Sequence, residues 1–95
     1  MIRIAIAGAA GRMGRNLVLA CLASEDCKLT LALEKPDSTL LGTDAGVIAG
    51  VETLEVAITD RLDPSQFDIL VDFTHPSVTR NHLDFCLKHN KKMVI

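Results

Sequence analysis

Three glycines at three-residue intervals, Gly8, Gly11 and Gly14, stand between an apolar run and a helical pattern. That order suits phosphate chemistry. Gly8 lets the chain turn at the end of the run without a Cβ clash. Gly11 admits close approach of whatever lies over the turn, and Gly14 lets the new helix pack hard against the strand. The helix then aims its unpaired N–H groups and positive dipole end into the space above the turn. Twenty residues past Gly14 comes Glu34, near the separation at which dinucleotide folds place an acid on the adenine ribose. A carboxylate there accepts from both ribose hydroxyls. Lys35 stands beside it, a cation able to pair with a 2′-phosphate, and Arg12 offers a second cation from within the turn. The acid alone selects NADH; with the lysine, the pair is permissive for NADH or NADPH. The plain alternatives are an exposed strand-end glutamate and a solvated lysine. A glycine pattern alone is weak, so the surrounding elements must decide.

Those elements alternate strand and helix. Residues 2–7 read as a strand, and residues 12–23 as a helix with Met13, Leu17, Val18 and Cys21 along its apolar stripe. Residues 28–34 are almost continuously apolar, as in a strand covered on both faces of a parallel sheet. Residues 37–50 read as a loop with a short helical turn. Gly42, Gly46 and Gly50 lack a strand-to-helix setting and take no phosphate role. Residues 53–58 suggest a third strand near the sheet edge, followed by a turn to Pro64 and one further helical turn. Residues 68–73 predict a buried strand. Thr74 or His75 then caps a helix over 76–89, with Pro76 first and Asn90 in the left-handed position after its end. Residues 91–95 begin a fifth strand.

The pattern is that of an α/β, Rossmann-type doubly wound parallel sheet, one dinucleotide-binding domain spanning 1–95. In such a sheet the fourth strand lies beside the first, across the reversal of strand order. Asp72, Phe73 and Thr74 therefore reach the edge that meets the middle or nicotinamide half of a dinucleotide.

Composition narrows the classes. With 48% hydrophobic residues the chain can bury a core, and a net charge of −2 argues against a nucleic-acid partner. No apolar run approaches the roughly 18 residues that span a bilayer, and the N-terminus lacks the layout of a signal peptide. Cys21, Cys27 and Cys86 are odd in number and suit neither a disulfide framework nor a zinc site. Reduced core cysteines in a cytoplasmic protein, with no metal, are the simpler reading. His75 faces a ligand or caps a helix, His82 reads as a satisfied packing histidine, and His89 suits a helix C-terminus. None has a nucleophile at a sensible spacing, so no catalytic residue is assigned within these 95 residues.

The run IAGAAGRMGR at 6–15, Leu40-Leu41-Gly42 with Asp44-Ala45-Gly46, Asp72-Phe73-Thr74-His75-Pro76, and Asn81-His82-Leu83 with Phe85-Cys86 resemble dihydrodipicolinate reductase. The family is also called 4-hydroxy-tetrahydrodipicolinate reductase. The resemblance implies the N-terminal cofactor domain of a two-domain, homotetrameric reductase. That enzyme passes hydride from NADH or NADPH to a cyclic dicarboxylate in diaminopimelate and lysine biosynthesis. It assigns Gly8, Ala9, Ala10, Gly11, Arg12 and Met13 to the pyrophosphate, and Glu34 to the ribose. Phe73 and Thr74 fall on the nicotinamide side. Lys35 matches a position commonly occupied by Arg, which meets the 2′-phosphate; lysine keeps the charge and loses the planar fork. The family's Gly-Thr-Thr-Gly loop, its His-His pair and lysine, and its tetramer-forming sheet would follow Ile95, so this portion alone would be inactive. Two other readings stay open: a non-catalytic nucleotide-binding module, and an S-adenosylmethionine-dependent Rossmann enzyme with a similar turn and acid.

Overall fold

The computed structural model describes every residue except His75, and every side chain except those of His75 and Pro76. Among the described residues five parallel strands lie in the order β3-β2-β1-β4-β5. They are β1 (Ile2–Ala7), β2 (Cys27–Leu33), β3 (Ile58–Thr59), β4 (Ile69–Asp72) and β5 (Lys92–Val94). Among the described residues three α-helices intervene: α1 (Arg12–Ala23), α2 (Ala45–Ile48) and α3 (Pro76–Lys88). This is the Rossmann-like α/β architecture, and its strand order reverses between β1 and β4.

β1 is central and pairs with both β2 and β4. Successive side chains of a strand point to opposite faces, so β1 feeds two cores. Ile4 and Ile6 meet Val18 of α1, Leu29 and Ile58 on one side. Ala5 and Ala7 meet Leu31, Leu33, Phe67, Leu70 and Cys86 on the other, beneath α3. Alanines on this second face leave room for Phe67, which is wholly buried just after a 3₁₀ turn at Pro64–Gln66. Burying such large apolar side chains contributes about 1.5–3 kcal/mol each. Arg3, the one charge within β1, lies at the opposite sheet edge from the glycine turn. Its amide and guanidinium hold Asp68, with Nη2–Oδ1 at 3.1 Å.

Three expectations needed correction. The third strand is not 53–58 but the two residues Ile58–Thr59. Glu55 takes a left-handed φ of 59°, and the Leu54 and Val56 amides donate to the Asp44 carboxylate instead of to a neighbouring strand. The fourth strand is shorter than 68–73, and it alternates: Leu70 and Asp72 are buried, Ile69 and Val71 half-buried. In the first helix Met13 lies outside the buried stripe, more than half exposed, while Val18 is wholly buried. Elsewhere the bounds agree closely. α1 has the expected ends, β3 is an edge strand, and Asn90 follows α3 with φ 56°. The capping role considered for His75 lies outside the described residues. Among those described, no helix is long and apolar enough to cross a membrane.

Candidate functional site

The carboxyl ends of β1, β2 and β4 open into a cleft of about 760 Å³, within the usual range for ligand sites. Its floor is the glycine turn. Gly8 holds φ at +80°, and its amide and that of Ala9 both donate to the Leu33 carbonyl, at 3.0 and 3.1 Å. These bonds fix the turn against the end of β2. Ala9 is buried beneath it, with its own amide already engaged, and does not line the cleft. A Cβ on Gly14 would lie 2.1 Å from the Gly8 carbonyl oxygen and 2.7 Å from Ala9 Cα, so only glycine admits the helix so close to the turn.

The start of α1 is unusually open. Gly11 is the N-cap residue, no side chain caps the helix, and no acid stands in its first turn. A Ser, Thr, Asp or Asn cap would satisfy one amide and stabilise the helix by about 1 kcal/mol. The chain forgoes that. The amides of Arg12, Met13 and Gly14 have no acceptor among the described residues, and all three residues line the cleft. Four such unpaired donors are the general condition of a helix start, and together with the dipole they favour an anion.

Glu34, the first residue past β2, turns back over the floor. Its Oε2 accepts the Ala10 amide at 2.8 Å. Lys35 is exposed beside it, and the following loop folds over to bring Pro36, Ser38 and Leu40 to the cleft wall. From the other side β4 delivers exposed Phe73 and half-buried Thr74, whose Cγ2 comes within 3.5 Å of the place a Cβ on Gly8 would occupy. Of the residues assigned from sequence, Gly8, Ala10, Gly11, Arg12, Met13, Glu34, Lys35, Phe73 and Thr74 line this one cleft.

Asp72 behaves differently from its two neighbours. It is buried, with Oδ1 accepting the Thr74 amide (2.7 Å) and hydroxyl (2.5 Å), and Oδ2 lying 2.6 Å from Nδ1 of His82. Burial pushes its carboxyl pKa up, but the Thr74 hydroxyl and amide and the His82 ring outweigh that, leaving it below the ordinary carboxylate value. Sequence reasoning read His82 as a satisfied packing histidine and did not name Asp72 as its partner. The missed signal was an acid at the inward end of a strand with a histidine ten residues on, in the helix that returns over it. Cys86, one turn beyond His82, is buried as expected, and burial and the Asp72 charge push its thiol up.

Residues 2–95 match the family described as dihydrodipicolinate reductase, N-terminus. Among solved structures, a dipicolinate-bound dihydrodipicolinate reductase from Paenisporosarcina sp. TG-14 superposes with a TM-score of 0.69 at 24% identity over 98% of the chain. Aspartate semialdehyde dehydrogenase with NADP from Candida albicans gives a TM-score of 0.74 at 10% identity, also over 98%. At these identities the two likenesses speak for the fold. The chain spans 36% and 28% of their respective lengths.

Proposed function

The chain belongs to the dihydrodipicolinate reductase N-terminal family, and on that premise we propose that it binds NADH or NADPH as the cofactor-holding part of a reductase. One observation carries the reading: the uncapped start of α1, the Glu34 carboxylate and the Phe73–Thr74 edge converge on a single cleft. The free amides of Arg12 and Met13 take the diphosphate, with the Arg12 guanidinium beside them. Glu34 exchanges its bond to Ala10 for the adenine ribose hydroxyls. Lys35 meets a 2′-phosphate when one is present, and Phe73 and Thr74 bound the nicotinamide end.

The cofactor supplies the hydride; these residues fix where its reactive ring lies and keep its charges paired. The acceptor is a cyclic dicarboxylate, of the class to which the dipicolinate held by the Paenisporosarcina enzyme belongs. The reaction serves diaminopimelate and lysine synthesis in the cytoplasm. The groups that bind the acceptor and assemble the homotetramer lie outside these 95 residues, which match 36% and 28% of the two solved chains and which alone bind cofactor without turnover.

Calorimetric titration with NADH, NADPH and S-adenosylmethionine tests the proposal. Heat from either pyridine nucleotide, and none from the methyl donor, is the expected result. Binding of S-adenosylmethionine alone would sink it.

A further inference from the structure

The Asp72–His82 pair has no part in the account above, yet it is built at a cost. Asp72 is only 1% exposed, and a carboxylate taken so far from water costs several kcal/mol unless partnered. Its partners use both oxygens: Thr74 supplies two donors to Oδ1, and His82 Nδ1 supplies the third bond, to Oδ2. Holding the ring this way commits Nδ1 as a donor and fixes the ring's direction, the usual work of a carboxylate behind a histidine. That leaves Nε2, which has no partner among the described residues. His82 keeps about a fifth of its side chain accessible and lines the same cleft as the start of α1.

We propose that Asp72 is a positioning residue, and that the His82 it holds donates from Nε2 to the diphosphate of the bound nucleotide. The proposal rests on the dinucleotide reading and adds to it a second, side-chain arm of the anion site, on the cleft that the start of α1 also lines. With Nδ1–H bound to Asp72, a neutral ring carries a lone pair at Nε2, which repels a phosphate oxygen. A protonated ring carries N–H there, which bonds it. Nucleotide affinity is therefore linked to proton uptake, and falls as pH rises. Among the described residues, the charged and titratable groups near the ring or sharing its cleft are Asp72 on β4, Cys86 on α3, and Arg12, Glu34, Lys35 and Asp60 on the cleft lining. Glu34 is turned toward Ala10, and Asp72 is the one in contact with the ring.

The experiment uses NADH and ADP-ribose, whose diphosphates do not titrate near neutrality, with the 95-residue chain between about pH 6 and about pH 8. Calorimetry should show affinity for both falling about tenfold across that range, the worth of one charge-assisted hydrogen bond made only by the protonated ring. In His82→Gln, which keeps a neutral amide donor, that slope should vanish. In the native chain, ¹⁵N shifts of the His82 ring should move toward the protonated form when ADP-ribose is added. A merely structural tie between β4 and α3 would lower the melting midpoint in the variant while leaving the slope intact. Equal slopes in both proteins, or an unmoved ring resonance, would overturn the proposal and leave the dinucleotide reading standing. Binding of ADP-ribose but not NADH, with a His82-dependent slope, would support this arm and overturn the pyridine-nucleotide reading. Absence of binding by either ligand would overturn both.

Discussion

The Oε2 atom of Glu34 accepts the Ala10 amide at 2.8 Å, so the acid that follows β2 is bonded to the turn that follows β1. Two consequences follow from one contact. The carboxylate preorganises the turn when no ligand is bound, and it stands within reach of whatever lies over that turn. Binding then replaces one charge-assisted hydrogen bond by one or two others, so Glu34 need not be drawn out of solvent to work.

Changing Glu34 to Ala should weaken NADH and NADPH alike, by about tenfold, the worth of the one hydrogen bond to a charged group that binding adds beyond the Ala10 bond it replaces. Nicotinamide mononucleotide, which lacks the adenine ribose, should bind equally to both proteins. Calorimetry with the three ligands checks this. A parallel loss for the mononucleotide would mean that Glu34 acts through the turn alone.

Lys35 is exposed, and its partner would be a phosphate in a largely aqueous setting. Changing it to Ala should reduce NADPH affinity by about fivefold at low salt and leave NADH unchanged, since exposed ion pairs are worth about 0.2–1 kcal/mol. The difference should shrink as salt approaches about 1 M, where screening reaches about 3 Å. Equal losses for the two nucleotides would show that Lys35 does not meet the 2′-phosphate.

The glycines differ in what they tolerate. A Cβ on Gly14 meets backbone atoms at 2.1, 2.7 and 2.8 Å, belonging to Gly8 and Ala9. Neither side is a flexible side chain that could swing away. Gly14→Ala should cost about 3 kcal/mol or more, enough to unfold much of a marginal domain. At Gly11 the tightest contact of an added Cβ is 3.3 Å, and φ is an ordinary −75°. Gly11→Ala should fold, costing about 1 kcal/mol or less, and lose nucleotide affinity because the methyl narrows the approach to the α1 amides. Urea denaturation separates the two variants, and equal stabilities would contradict the geometry.

That contrast shows why the turn was legible in the sequence while other features were not. Each glycine of the turn answers a local steric demand, and local demands leave a mark on residue type. Glu34 was legible for a related reason, because the strand–helix–strand unit fixes its distance from Gly14. Asp44 left no such mark. It accepts amides of Gly46, Val47, Leu54 and Val56 at 2.9–3.3 Å, and an amide looks the same whatever side chain it carries. The third strand was overdrawn for that reason: the donors expected to build it are spent on Asp44. The Asp72–His82 tie depends on how α3 settles over β4, a tertiary fact to which periodicity is blind. The wall beyond Lys35, from Pro36 to Leu40, belongs to a loop whose path only the fold decides.

Acid should unfold this domain through a small set of carboxylates. Asp44 is held below the ordinary value chiefly by the Leu54 amide, against an opposing effect of burial, with help from Val56, Val47 and Gly46. Asp63 is lowered by the Ser65 hydroxyl and amide, Asp68 by the guanidinium and amide of Arg3, and Asp72 as described above. A carboxyl whose folded value is depressed lends stability that is complete above its unfolded value, about 3.9, and is lost as pH falls through the folded one. From these groups, stability should be level down to about pH 5 and fall below about pH 4. The Arg3–Asp68 pair is open to solvent and adds little. Asp44 should matter more, because its four amide bonds tie the start of α2 to residues 54–56 and no other carboxylate replaces them. Asp44→Asn keeps the shape and removes the charge. Its melting midpoint by circular dichroism should lie below that of the native chain at pH 7, and the two should converge as falling pH protonates native Asp44. Coincident melting at pH 7 would mean that the Asp44 charge does not hold this loop.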